Sequence, residues 1–127
     1  MKQMINPPGA APAQGPYSPA ILASGKFLFI SGQAPFDPKL GRLITDQPFE
    51  QQAVQTLENV KTLVEGAGAT MKDVVRVGIF LRDMADFPTL NEVYQRYFTE
   101  PYPARTTVQS GLTKFPLEID AIAILPE

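Results

Sequence analysis

Arg105 stands in the run Pro103-Ala104-Arg105-Thr106-Thr107-Val108, and Glu118 follows thirteen positions later inside Leu117-Glu118-Ile119-Asp120-Ala121-Ile122. A guanidinium presents a planar pair of N–H donors that fits a carboxylate, and a glutamate can take a proton from water or return one. The two residues read as a carboxylate clamp and a water-handling acid. The chain contains no His and no Cys, which removes Ser/His/Asp triads, thiol nucleophiles, thiolate zinc sites and imidazole acid/base chemistry together. Catalysis is left to Arg, Glu/Asp, Tyr, Lys and backbone groups.

The elements that must position these two groups follow from periodicity and punctuation. Residues 6–19 hold five of the thirteen prolines, so neither helix nor central strand persists there, and the stretch reads as a loop lead-in or tail. Apolar runs at 20–24 and 27–31 flank Gly25-Lys26, which predicts a tight hairpin, and Gly32-Gln33-Ala34-Pro35 ends the second strand. From 46 to 67, Ala53, Leu57, Val60, Val64 and Ala67 recur at the period of a one-sided helix, with Asp46 as its cap and Gly66 and Gly68 as its stop. Residues 74–82 alternate as a strand. A shorter amphipathic helix spans about 86–98, with Phe87, Leu90, Val93, Tyr94 and Tyr97 on one face and Pro101 and Pro103 closing it. Strands at 105–110 and 117–125 complete the order. Asp37 and Asp46 sit in turn contexts and read as caps, not metal ligands.

At 127 residues, with 44% hydrophobic and 19% charged residues, the chain is expected to be one domain, residues 1–127. A formal charge of −2 offers phosphate backbones no general attraction, which disfavours nucleic acid. No apolar run approaches the roughly 18 residues of a membrane span, and the N-terminus lacks the apolar core of a signal peptide, so a cytoplasmic location is expected. Two helices cover one face of a sheet of about five or six strands, yet the last strand is apolar on both faces. Either the sheet curls onto itself or other protomers cover it, and an oligomer is the simpler solution.

Several segments, in order, carry a resemblance: Gly15-Pro16-Tyr17-Ser18-Pro19-Ala20, Phe29-Ile30-Ser31-Gly32-Gln33, Leu57-Glu58-Asn59-Val60, Asp83-Met84-Ala85-Asp86-Phe87, Asn91-Glu92-Val93-Tyr94, Pro103-Ala104-Arg105 and Glu118-Ile119. In this order and spacing the chain resembles the reactive intermediate deaminase family of the RidA or YjgF type. The resemblance implies a chorismate-mutase-like α+β fold, with a mixed sheet of about six strands and two helices on one face. It also implies a homotrimer with active sites in clefts between subunits. The implied activity is that of a cofactor-free 2-iminobutanoate/2-iminopropanoate deaminase, which hydrolyses enamines and imines released by pyridoxal-phosphate enzymes to 2-keto acids and ammonia. Carried over by position, Arg105 binds the substrate carboxylate, Glu118 positions the water, and Tyr17, Ser31, Gly32 and Asn91 line the pocket. Where the family often has Ser then Cys after the Arg, this chain has Thr106 and Thr107; Leu112 is followed by Thr113 where Pro is common, and the link from Arg105 to Glu118 is shorter. Thr107, on the strand face of Arg105, joins the substrate-binding set.

Imine hydrolysis suits such residues, because the iminium carbon is already electrophilic and positioning supplies much of what is needed. Two other readings stand beside it: a ribonuclease or translation inhibitor, and a non-catalytic ligand-binding or chaperone-like module. One geometric point is open in the sequence. Were residues 111–116 a simple hairpin loop, Arg105 would lie near Ile122 and far from Glu118, so the two meet only through another pairing, such as a neighbouring subunit or a non-adjacent strand.

Overall fold

A computed structural model describes residues 1–126. The first strand, β1 (Lys2–Ile5), pairs antiparallel with β2 (Ala20–Ala23), and together they form a ribbon of their own. The main sheet has four strands in the order β3-β8-β6-β7, built from β3 (Phe27–Gln33), β6 (Val74–Leu81), β7 (Ala104–Gln109) and β8 (Leu117–Ile124). A small hairpin, β4 (Phe36–Asp37) and β5 (Arg42–Leu43), precedes α1 (Phe49–Gly66), and α2 (Phe87–Tyr97) connects β6 to its parallel neighbour β7. This is a mixed sheet with two helices, an α+β fold.

The sequence and the structure part company at four places. The hairpin predicted at Gly25-Lys26 does not form: β2 takes β1 as its partner, and β3 takes β8. Gly25 serves a close approach instead, at φ +129°, where an added Cβ would stand 2.7 Å from Ile124 Cγ2. Of the five strands placed from the sequence, the first joins β1 in a ribbon of two and the other four form the main sheet, with the β4–β5 hairpin extra. Asp46 does not cap α1. Its carboxylate accepts from Arg42 Nη1 at 3.0 Å, while the helix begins after Pro48 with no side-chain cap. Ala67 is exposed, and Ala69 is the buried residue that follows Val64. Asp37 does cap its turn, accepting from the Lys39 amide at 2.8 Å.

The core lies between the helices and one face of the four-stranded sheet. Ala53, Leu57, Val60 and Val64 of α1 and Leu90, Val93 and Tyr94 of α2 are fully buried against Val77, Ile79 and Leu81 of β6 and Leu117, Ile119, Ala121 and Ala123 of β8. Alternation puts Arg76, Gly78 and Phe80 of β6 and Glu118, Asp120 and Ile122 of β8 on the other face, which neither helix covers. Phe29, paired with Ile122, is 72% exposed there.

The ribbon is pinned to this body by the Lys2 ammonium, which donates to the carbonyls of Val74 at 2.9 Å and Lys72 at 3.1 Å. Helix α1 ends in a Schellman motif, with the Ala69 amide donating to the Val64 carbonyl and the Gly68 amide to that of Glu65. Gly68 sits at φ +91° with no atom within 4 Å of an added Cβ, and Gly66 has similar space at an ordinary helical position. The two glycines should therefore respond with opposite signs. Gly68→Ala should cost about 1–2 kcal/mol for the left-handed backbone, whereas Gly66→Ala should stabilise by about 0.4–1 kcal/mol through the unfolded chain, both read from urea unfolding.

Candidate functional site

Arg105 lies on β7, an edge strand of the four-stranded sheet, opposite Val77 of β6, so its side chain is on the helix face. Its Nη1 donates to Asn91 Oδ1 of α2 at 2.7 Å. Three rings surround the guanidinium, with centroids at 4.9 Å for Tyr94, 5.6 Å for Phe87 and 5.8 Å for Tyr17. Cation–π attraction and one neutral acceptor thus hold a charge that has no carboxylate: the ion pairs among the described residues are Arg42–Asp46 and Arg96–Glu50. Burial pulls the Arg105 guanidinium below its usual range, with the neighbouring Tyr94 and Tyr17 opposing the shift. It stays charged, and the N–H groups not used by Asn91 are free for an anion with two oxygens.

The proline-rich segment reaches this place by strand-like pairing. Ser18 bridges Ala104 in parallel, its amide donates to the Pro103 carbonyl at 3.1 Å, and its hydroxyl donates to the Tyr102 carbonyl. These bonds set Tyr17 beside Arg105, and the Tyr17 hydroxyl accepts from the Gln14 amide at 3.0 Å. Thr107 shares the face of Arg105, and its Oγ1 is buried without a partner.

Glu118 belongs to a different cluster. It pairs with Phe80 of β6, three residues beyond the Val77 that pairs with Arg105, so the two side chains leave opposite faces of the sheet. With β6 between them, their Cα atoms are about 14 Å apart from strand spacing and rise. The Glu118 carboxylate rests on Gly32 of β3, where an added Cβ would stand 1.9 Å from Oε2, and exposed Ser31 is adjacent. A single chain therefore gathers Arg105, Asn91, Tyr17 and Thr107 in one place, and Glu118, Gly32 and Ser31 in another. A cleft of about 660 Å³ beside Glu58, Lys61 and Tyr97, and one of about 440 Å³ beside Tyr17, Glu100 and Tyr102, contain neither Arg105 nor Glu118.

Residues 8–125 match the family model described as Endoribonuclease L-PSP. The chain belongs to this family, the RidA/YjgF family. A RutC family protein of Pyrococcus horikoshii is 48% identical over 125 residues, 97% of this chain and 98% of its own. A protein of Dermatophagoides farinae named 2-iminobutanoate/2-iminopropanoate deaminase is 38% identical over 128 residues, 98% and 97% of the two chains. The crystal structure of RidA from an Antarctic Psychrobacter superposes with a TM-score of 0.74 at 41% identity, covering 97% of this chain and 99% of that one. RidA/YjgF membership accounts for the ordered motifs, but it does not by itself bring out Phe87 and Tyr94 as walls around Arg105. The signal for them was present: Phe87, Asn91 and Tyr94 fall at i, i+4 and i+7 on α2, a single stripe in which a polar Asn interrupts apolar neighbours.

This cage predicts an order of losses for a small carboxylate probe such as 2-oxobutanoate. Arg105→Lys keeps the charge but loses the fork, and should weaken 2-oxobutanoate binding at least tenfold, a loss of about 1.5–3 kcal/mol. Asn91→Ala should cost only about twofold to tenfold, the worth of one hydrogen bond. Isothermal titration of the two variants against the parent checks the order.

Proposed function

We propose that the chain hydrolyses small 2-enamino and 2-imino acids of amino-acid origin to 2-keto acids and ammonia. The observation that carries this reading is Arg105, a half-buried guanidinium with no carboxylate, held by Asn91 and three rings. Such a group is built to receive an anion, and its fork fixes the carbon next to the bound carboxylate. The name carried by the Dermatophagoides relative supports the same substrate class.

In the proposed reaction an enamine first reaches the site as its iminium tautomer. Water adds to C2 as Glu118 takes the water proton, which forms the C–O bond of a carbinolamine. Proton return to nitrogen breaks the C–N bond, and loss of the hydroxyl proton leaves the C=O, so iminium and water become 2-keto acid and ammonium. Arg105 holds the carboxylate throughout, and Tyr17, Asn91 and Thr107 shape the space around it. No cofactor enters this scheme.

Because Arg105 and Glu118 leave opposite faces of one sheet, the proposed site needs Arg105 of one copy and Glu118 of another. The uncovered face, carrying Phe29, Ile122 and Val108, is the surface through which copies would meet, and a homotrimer with three intersubunit sites is the proposed assembly. Endoribonuclease chemistry, named in the family description, has less support here, since a net charge of −2 and the absence of His give a phosphodiester neither attraction nor a strong acid/base pair.

The deciding assay supplies fresh imine from a threonine dehydratase and follows 2-keto acid release, with an RNA-cleavage arm in parallel. Arg105→Ala should lose at least tenfold to a hundredfold in kcat/KM, and Arg105→Lys should not recover it. Glu118→Gln should lower kcat more than it raises KM, while Thr107→Cys stays within about tenfold of the parent. Light scattering should give about three chain masses; a monomer that turns over imine at the parental rate would sink the shared site.

A further inference from the structure

Glycine at position 32 is not required by the backbone. Its φ is outside the left-handed region, in contrast to Gly9, Gly25, Gly41 and Gly68, and the residue is exposed in the single chain, so the core of its own chain does not forbid a side chain. The nearest atoms to an added Cβ all belong to one residue: Glu118 Oε2 at 1.9 Å, Cδ at 2.6 Å and Cγ at 2.9 Å. The outer half of the glutamate side chain fills the space that a Cβ at residue 32 would take.

The ladder between β3 and β8 shows how the glycine comes to be there. Ile30 pairs with Ala121 and Gln33 with Ile119, so Ser31 and Gly32 together oppose Asp120 alone, which is a β-bulge. The extra residue moves Gly32 alongside Glu118. On the other flank of β8 the same arrangement recurs, with Asp120 lying on Gly78 of β6, where a Cβ would stand 2.3 Å from Oδ1. Two carboxylates that a plain strand would hold side by side, about 6.6 Å apart at the Cα atoms, are thus laid down in opposite directions. Glu118 goes toward β3 and Asp120 toward β6, which separates like charges and gives each a fixed bed.

We propose that Gly32 is a positioning residue for Glu118: the missing side chain in the bulge lets the carboxylate lie down toward β3, at the place from which it handles the attacking water. This rests on the deaminase reading for its kinetic consequence, but not for its structural one. It assigns Gly32 a role other than lining the ligand with its own amide.

Gly32→Ala is the direct test. The methyl would displace only the free end of a flexible side chain, so the variant should fold and melt with the parent while the carboxylate moves. The kcat for imine hydrolysis should fall about tenfold, with KM and 2-oxobutanoate affinity unchanged because Arg105 is untouched. In a Glu118→Gln background the added Gly32→Ala should cost less than about twofold, since the group it displaces no longer works. The Glu118 side-chain carboxyl resonance, assigned by its loss in Glu118→Gln, should shift in Gly32→Ala. Parental kcat in Gly32→Ala, a full additional loss in the double variant, or an unmoved resonance would each overturn the proposal. Should the parent show no imine hydrolysis at all, the deaminase reading fails, and the carboxyl resonance alone decides whether Gly32 sets Glu118.

Discussion

The insertion of β8 between β3 and β6 is the constraint on which the rest of the molecule depends. β8 lies inside the sheet, paired antiparallel on both sides, and its Leu117, Ile119, Ala121 and Ala123 form the floor on which α1 and α2 pack. Chain order would have made β7 and β8 a hairpin. Instead α2 carries the chain from β6 into a parallel edge strand, and β8 returns past it to close the gap. That single choice places Arg105 at an edge and Glu118 in the interior, separates them by β6, and turns them to opposite faces.

Arg105 illustrates how a charge is kept without a countercharge. Taking a guanidinium out of water is costly, and an internal carboxylate would offset that cost while also filling the fork. The fold offers Asn91 and three ring faces, which stabilise the cation yet leave donors unspent. The hydroxyls of Thr107 and Tyr94, buried without partners, belong to the same region of β7 and α2. Polar capacity left open in one place is where a protein holds binding energy in reserve for something other than its own folding.

Much of this was legible in the sequence, and the limits have physical causes. Both helices and the strands that became β6, β7 and β8 follow from the pattern of apolar residues, because burial enforces it, while the α+β class came from the family resemblance. Partnership does not have a period. Nothing in residues 20–31 distinguishes a hairpin from two strands that each pair elsewhere, and Lys2–Ile5 is too short and too polar to announce itself as the partner of β2. Asp46 had the chemistry of a cap but stands three residues before the helix, where Arg42 takes its carboxylate. The candidate site residues were chosen by type and order, whereas their division between two faces is set by the register of β6 against both neighbours, which long-range packing decides.

Thr107 has one more consequence. The only sulfur in the chain is that of four methionines, and the position beside Arg105, where the family often carries a thiol, holds a hydroxyl. A thiolate there would be open to peroxide, to disulfide exchange and to electrophiles, and would tie the state of the pocket to the redox poise of its surroundings. A threonine has no such ladder to climb. The Arg105 cluster of this chain therefore offers oxidants and electrophiles no thiol to attack.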